Sequence, residues 1–183
     1  MEFQRKKLRC SEIDYSLPGK YFLTICTFER QKLFGAEPFS VNNWFKETGK
    51  YQYGDGINLL CNRPEQMIEK WIHQIPNKFS SVKIDYYVVM PDHIHMILAI
   101  SGKEKVSTDF CSCVSIDKII DWFKTMTTCE YIRYVKKNEY PPFKKHIWQR
   151  GYYDHAIRND DDLYECRRYI KMNPIKIEKK EDI

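Results

Sequence analysis

The sequence predicts an α+β fold of the ferredoxin-like, split βαβ type, with an antiparallel sheet, helices on one face and a C-terminal helix that bears a tyrosine. The predicted elements follow the order strand, helix, strand, strand, helix, strand, with that final helix after them. Two of the strands flank a tight turn at Pro91-Asp92, which is the clearest hairpin in the chain. The chain has 183 residues, of which 43% are hydrophobic and 15% aromatic, so it can bury one core and is not disordered.

In the first half of the chain, residues 21–28 are β-branched and aromatic, which predicts a central strand buried on both faces. Glycines and prolines across residues 29–61 predict loops or a minor hairpin. A helix follows, with Asn62 as its cap, Pro64 in its first turn and Pro76 at its end. Its apolar stripe consists of Met67, Ile68, Trp71, Ile72 and Ile75.

In the second half, residues 82–90 and 93–100 form the two hairpin strands, and residues 101–113 are a polar connection. Helical spacing of apolar residues predicts a second helix from Ser115 to about Val135. Residues 147–149 are compatible with a short strand. A last helix is capped by Asn159 or by one of the acids at 160–162, and Pro174 is expected to stop it near Asn173.

Composition limits the functional classes. The formal net charge is +5, which permits nucleic-acid binding without requiring it. No apolar run is long enough to cross a bilayer and no leader is visible, so we expect a cytoplasmic protein whose seven cysteines are reduced. The spacing of Cys111 and Cys113 is not that of a zinc ribbon. The organisation is a basic arm at 1–18, one domain at 19–177 and a charged tail at 178–183.

A histidine pair is the first candidate site. Residues i and i+2 of a strand point to the same face, so His93 and His95 are neighbours while Ile94 and Met96 point into the core. Two adjacent imidazoles can hold a divalent metal. The alternative is a pair of histidines on the sheet surface without a ligand.

A tyrosine and an asparagine on the last helix are the second candidate. Tyr169 and Asn173 are one turn apart and share a face, while Leu163, Cys166 and Ile170 form the stripe that packs. The hydroxyl of Tyr169 is a candidate nucleophile and the amide of Asn173 a candidate metal ligand. Alternatively, Tyr169 is a half-buried flanking residue and Asn173 a helix cap.

The late part of the chain combines cations with aromatic residues. Cations can neutralise phosphates and aromatic rings can stack on unpaired bases, although a solvated charged face is an equal alternative. The candidate DNA-binding residues are Arg150, Tyr153, His155, Arg158, Arg168 and Lys171.

These elements together resemble a known family. The stretch Pro91-Asp92-His93-Ile94-His95 is similar to the motif of two histidines around one hydrophobic residue in "HUH" endonucleases, and residues 168–174 are similar to the tyrosine helix of single-tyrosine HUH transposases. More specifically, the chain resembles the REP-associated tyrosine transposases, which are relatives of the insertion-sequence 200 transposases. Further matching stretches are 19–25 with Arg30, 33–35, 130–133 leading to 141–143, and 148–159.

The resemblance implies a metal-dependent transposase that cleaves single-stranded or hairpin DNA through a 5′-phosphotyrosine. His93, His95 and Asn173 would hold Mg²⁺ or Mn²⁺, and Tyr169 would be the nucleophile. His155 and Arg158 lie in a matching stretch but receive no defined step. In the broader family dimers can combine the histidines and the tyrosine of two chains, whereas the REP-associated branch implies a monomer; the sequence leaves monomer or homodimer open.

Three other functions remain as alternatives. The first is a domesticated protein that binds DNA hairpins without transposition activity, which would not need the histidines and the tyrosine. A relaxase or replication-initiation nuclease would share the histidine pair, but the short chain and its Tyr-Ile-x-x-Asn-Pro ending disfavour it. A metal-binding protein without a DNA role would show no salt-dependent affinity for DNA.

Overall fold

The computed structural model of the chain describes residues 18–35, 63–101 and 114–178, with side chains as far as 173. The elements are β1 (Gly19–Cys26), α1 (Pro64–Lys78), β2 (Val82–Met90), β3 (His93–Ile100), α2 (Ile116–Lys136), β4 (Tyr153–Ile157) and α3 (Asp160–Glu178). A short 3-10 turn, Phe28–Arg30, follows β1. The predicted arm at 1–18 and tail at 178–183 fall almost wholly outside the described residues, as do most of 29–61 and of 101–113.

The four strands form one antiparallel sheet in the order β2-β3-β1-β4. This order and the succession of elements confirm the predicted α+β, ferredoxin-like arrangement. Strand β1 pairs with β3 on one side and β4 on the other, so it is the central strand that its apolar sequence predicts.

The two faces of the sheet carry different helices. Helices α1 and α2 cover one face, where the larger apolar cluster lies, as the prediction of helices on one face requires. Helix α3 packs on the opposite face through Leu163 and Ile170, against Val88, Met90 and Ile97. That second face is therefore the one that receives the tyrosine helix.

Two helix starts agree with the sequence. Ser115 caps α2 and accepts a hydrogen bond from the backbone N–H of Lys118 at 3.4 Å. Asn159 caps α3, where its side-chain oxygen accepts from the N–H of Asp162 at 2.8 Å. The residue before α1 is Arg63, which makes no side-chain capping bond, and the predicted cap Asn62 lies outside the described residues.

The predicted ends of α1 at Pro76 and of α3 before Pro174 are wrong. Helix α1 continues through Pro76 to Lys78, and α3 continues through Pro174 to Glu178. A proline removes one backbone donor and disturbs the preceding turn, but near the end of a helix few hydrogen bonds remain to be lost. The chain past Pro76 still closes a bond from Phe79 N–H to the Ile75 carbonyl at 2.9 Å.

The predicted strand at 147–149 is reduced to a single bridge between Trp148 and Thr27. The fourth strand is β4, five residues later than Trp148 at its start. Trp148 instead buries its ring among core residues and donates from Nε1 to Thr127 Oγ1 at 3.0 Å. Among the described helices, none combines the length and the apolar character that a bilayer crossing requires.

Candidate active site

The histidine pair lies at the start of β3, immediately after the Pro91-Asp92 turn. Register pairing places His93 opposite Cys26 and His95 opposite Thr24, so both imidazoles point to the face that α3 covers. The Nε2 atoms of the two rings are 3.0 Å apart. The strand spacing therefore brings the rings together as the sequence predicts.

His95 is held by neighbours on β1. Its Nδ1 lies 2.8 Å from Thr24 Oγ1, and its ring stacks on Phe22 with 5.4 Å between the ring centroids. Only 4% of His95 is exposed. Burial lowers the pKa of His95 to about 3, aided by the charges of His93 and Arg30. The imidazole is therefore neutral at pH 7 and keeps a lone pair on one nitrogen.

His93 is held by the turn that precedes it. Its Nδ1 lies 2.5 Å from Oδ1 of Asp92, and the other carboxylate oxygen lies 3.5 Å from the guanidinium of Arg30. Burial alone would raise the pKa of Asp92, but the hydrogen bond and charge of His93, with the charge of Arg30, bring it below its usual value. The carboxylate is ionised, so it favours a proton on Nδ1 of His93.

The residues present fit a divalent cation. If Thr24 and Asp92 each accept a hydrogen bond from an Nδ1–H, both Nε2 atoms carry lone pairs that face each other at 3.0 Å. Two lone pairs at that distance repel unless a positive charge lies between them. Two imidazoles bound to one ion at about 2.1 Å each also place their nitrogens about 3 Å apart.

Tyr169 completes the pocket from α3. Its ring contacts the ring of His95 edge to face, with 5.2 Å between centroids, and also contacts Phe22 at 5.9 Å. The side chain is 47% exposed, so solvent and substrate can reach it. One chain therefore supplies both the histidines and the tyrosine.

Helix α3 is fixed over the sheet by apolar and ionic contacts. Ile170, the residue after Tyr169, is fully buried. Arg167 donates two hydrogen bonds to the carboxylate of Asp85, at 2.7 and 2.6 Å. The regular β2–β3 register is interrupted at Asp85, between Ile84 and Tyr86.

Asn173 lies one turn beyond Tyr169 on α3. Its side-chain nitrogen is buried and has no hydrogen-bond partner among the described residues. A buried amide without a partner is costly, and the two ends of an amide are assigned only by their neighbours. Asn173 is therefore a partly buried amide one helical turn from Tyr169, with a side-chain nitrogen that lacks a partner among the described residues.

A second set of metal-ligating groups lies between β4 and the start of α3. The ligand atoms of His155, Asp162 and Cys166 lie within 4.8 Å of one another. They already contact each other, because His155 Nε2 is 2.9 Å from Asp162 and the thiol of Cys166 is 3.9 Å from it. Burial and the Asp162 carboxylate raise the pKa of Cys166 to about 11, so its thiol is protonated.

The candidate DNA-binding residues are spread around the same face. Tyr153 is 55% exposed, and Thr24 separates it from His95 in the row across the sheet. His155 is engaged by Asp162. The remaining four are exposed and cationic: Arg150 before β4, Arg158 after it, and Arg168 and Lys171 on α3.

Sequence reasoning missed the residues that orient the imidazoles. Thr24, Phe22 and Arg30 lie about 65–75 positions from the histidines, and only the β1–β3 register reveals their contacts. One signal was available in the sequence: Phe22, Thr24 and Cys26 alternate along the predicted central strand and so share a face.

Comparison with known proteins finds a matching family and two relatives. The family described as IS200-like transposases matches residues 57–173. An uncharacterized protein of Haemophilus influenzae is 28% identical over 176 residues, which cover 93% of this chain and 88% of the relative. A protein of the same bacterium, named as a REP-associated tyrosine transposase, is 26% identical over 166 residues, covering 89% of this chain and 74% of that one.

Among solved structures, a REP-associated tyrosine transposase bound to a REP hairpin superposes with a TM-score of 0.54. The alignment covers 92% of this chain and 74% of that chain at 19% sequence identity, so it establishes a shared fold. The family match spans well over half of the chain, and the match at 57–173 includes the histidine pair, Tyr169 and Asn173. The chain belongs to the IS200-like transposase family.

Proposed function

We propose that the protein is a single-tyrosine HUH transposase, a metal-dependent endonuclease and strand transferase that acts on single-stranded, hairpin-forming palindromic DNA. The observation that carries this proposal is the contact between the ring of Tyr169 and the ring of His95, beside His93. A nucleophile and two metal-ligating imidazoles in one pocket suit phosphodiester transfer.

His93, His95 and Asn173 would hold Mg²⁺ or Mn²⁺. Two imidazoles and one amide leave positions open for phosphate oxygens and water, as a catalytic site requires. The bound ion supplies charge that polarises a phosphate oxygen and stabilises the transition state.

In the reaction, the phenol of Tyr169 would release its proton to solvent and its oxygen would attack the scissile phosphorus; the proton that the leaving 3′ oxygen takes up from solvent balances this loss. A bond forms between that oxygen and phosphorus, and the bond from phosphorus to the 3′ oxygen breaks. The 3′ oxygen takes up a proton and leaves as a free 3′-OH, while the 5′ side stays attached to Tyr169. The phosphodiester energy is conserved, so a 3′-OH on another strand can reverse the step.

The proposed substrate follows from the relatives and from the site face. One relative is named for REP association, and the solved structure holds a REP hairpin. In this chain Tyr153 lies in the same row of the sheet as His95 and is exposed, so it would stack on an unpaired base, and the exposed cations on α3 and in the loops before and after β4 would contact phosphates. The residues proposed for this role are Arg150, Tyr153, His155, Arg158, Arg168 and Lys171.

The test is a cleavage assay on labelled single-stranded hairpins taken from the DNA that flanks the gene. Wild-type protein is incubated with Mg²⁺, Mn²⁺ or EDTA, and covalent adducts are resolved on denaturing gels. We expect an adduct that depends on the metal and disappears in Tyr169→Phe, because the phenyl ring keeps the packing and loses only the attacking oxygen.

Two matched variants locate the metal. His95→Ala should abolish the adduct, whereas Cys166→Ser should retain it if the ion lies at the histidine pair rather than beside Asp162. DNA binding by the wild type without an adduct on any flanking hairpin would contradict the proposal, and would favour a domesticated hairpin-binding protein.

A further inference from the structure

Two loops at one end of the sheet carry a group of cations that the reaction above does not use as a set. We call this group the basic rim: it consists of Arg30, Lys32, Lys144, Lys145 and Arg150, all exposed. Residues 27–32 follow β1, and residues 143–150 precede β4.

The side chain of Gln31 joins the two loops. Its amide nitrogen donates to the carbonyls of Lys144 at 3.3 Å and His146 at 3.4 Å, and its oxygen accepts from the N–H of Lys144 at 2.7 Å. Two backbone bonds add to this, from Phe28 N–H to the Ile147 carbonyl at 2.8 Å and from Gln149 N–H to the Cys26 carbonyl at 2.9 Å. The cations therefore lie on one fixed surface.

This surface adjoins the histidine pair. The backbone N–H of Thr27 donates to the carbonyl of Asp92 at 2.9 Å, and Cys26 is the register partner of His93. The guanidinium of Arg30 reaches the carboxylate of Asp92. A strand of DNA that leaves the pocket at this end of the sheet must pass over the basic rim.

Among the described residues, few acidic groups compensate the charge of the rim. The two loops contain one carboxylate, Glu29, against five Lys and Arg side chains. Within the part of the chain that the structure describes, no acid forms an ion pair with Lys32, Lys144, Lys145 or Arg150. Clustered cations repel one another, so this arrangement costs stability unless an anion binds.

The backbone of the loops points to the same conclusion. Glu29, Arg30 and Lys145 have positive φ values of 52°, 55° and 52°. Non-glycine residues are strained in this region of φ, and they persist at functional sites where the surroundings hold them. Here the bonds of Gln31 hold two of the cations in strained positions.

We infer that the basic rim binds the phosphate backbone of single-stranded DNA on one side of the phosphate that Tyr169 attacks. This inference rests on the proposed function for the position of that phosphate. The rim presents long cationic side chains. The rings of Phe28 and His146 in the same loops pack against each other, so the rim suits phosphates rather than bases. Binding there is independent of base sequence and sensitive to salt.

The test measures how the affinity for DNA depends on salt. Wild type and the triple variant Lys144→Gln, Lys145→Gln, Arg150→Gln are titrated with a labelled single strand of about 20 nucleotides and mixed sequence, at several KCl concentrations. Each phosphate contact on a single strand contributes about 0.7 to the slope of log K against log salt. We expect the slope of the triple variant to fall by about 2.

A matched control removes the same charge at the opposite end of the sheet. Lys78 and Lys83 flank the start of β2 and Lys20 lies at the start of β1, at the end of the sheet where Val82 pairs with Ile100 and Lys20 with Ala99. Their triple replacement by Gln should leave the slope close to that of the wild type. Since none of the six lysines and arginines is buried, both variants should fold, which circular dichroism verifies.

The two proposals fail separately. An unchanged slope in the rim variant, or an equal loss in the control, overturns the inference even if the wild type forms the tyrosine adduct. A wild type that forms no adduct while its rim variant loses slope overturns the proposed function and leaves the rim as a DNA-binding surface.

Discussion

In each histidine of the pair, Nδ1 contacts a side chain that orients the ring, and Nε2 faces the Nε2 of the other histidine. Nδ1 of His95 meets the hydroxyl of Thr24, and Nδ1 of His93 meets the carboxylate of Asp92. Such contacts fix the tautomer and the ring angle, and therefore the place where the two Nε2 atoms converge. At the scale of single residues, Thr24 and Asp92 are positioning residues for the proposed metal.

Replacing Thr24 by Val should weaken metal binding about 10- to 100-fold, because the methyl group keeps the volume but cannot accept the proton of Nδ1. The measurement is calorimetric titration with Mn²⁺. The variant Thr24→Ser restores the hydroxyl and should restore most of the affinity. Equal affinities of the Val variant and the wild type would show that the hydroxyl does not orient His95.

The sequence predicts the residues of the pocket better than it predicts their supports. A strand period of two puts His93 and His95 on one face, and a helical period puts Tyr169 and Asn173 on one face. The contact between Tyr169 and His95 follows from α3 crossing the second face of the sheet, which no local pattern encodes. The roles of Thr24 and Arg30 depend on a register between distant strands, so they could be found only in the structure.

At the scale of elements, prediction succeeds where one periodic pattern dominates and fails where tertiary contacts decide. The hairpin and the start of α2 at Ser115 follow from local chemistry. Pro76 and Pro174 read locally as stops, yet both helices continue past them. The β-forming Trp148 looks like part of a strand, but its ring is more stable in the core, and β4 forms where residues pair with β1.

Lys124 connects α2 to the loop that precedes β4. Its ammonium group donates hydrogen bonds to the carbonyls of Gln149 at 2.8 Å and Gly151 at 2.7 Å. Burial lowers the pKa of Lys124 to about 8, against the opposing charges of Asp121 and Cys26. Between pH 8 and about 10.5 the unfolded chain binds more protons at Lys124 than the folded chain does. The contribution of Lys124 to the free energy of unfolding therefore rises with pH in this range, and it is lost as pH falls through 8.

We therefore expect the free energy of unfolding of the wild type to rise, relative to that of Lys124→Met, as the pH goes from 8 to about 10.5. The gain is about 1.4 kcal/mol for each unit by which the folded pKa lies below the unfolded one. Urea unfolding at a series of pH values measures it, and the variant cancels the titration of other groups. Parallel curves for the two proteins would contradict the expected burial of the ammonium group.

At the scale of the whole molecule, one chain brings the tyrosine and both histidines together. Tyr169 contacts His95 of its own chain, and α3 reaches that position directly from β4 through a turn of two residues, 158–159. A short connection leaves little freedom for α3 to pack on another subunit. We therefore expect the pocket to be complete in one copy.

Mixing two inactive variants tests this completeness. His95→Ala lacks a ligand and Tyr169→Phe lacks the nucleophile, so a mixture regains a full pocket only if the tyrosine can serve the histidines of another chain. We expect no more adduct from the mixture than from either variant alone. Adduct formation by the mixture would show that subunits exchange their tyrosine helices.

Among the described residues, the sheet separates two clusters of buried apolar side chains. Core residues such as Ile72 and Phe123 lie on the face of α1 and α2, whereas Ile170 and the histidine pair lie on the face of α3. Free-energy changes from substitutions at distant sites without common contacts are additive. Substitutions on the face of the histidine pair can therefore lower the free energy of unfolding while independent substitutions on the opposite face raise it again.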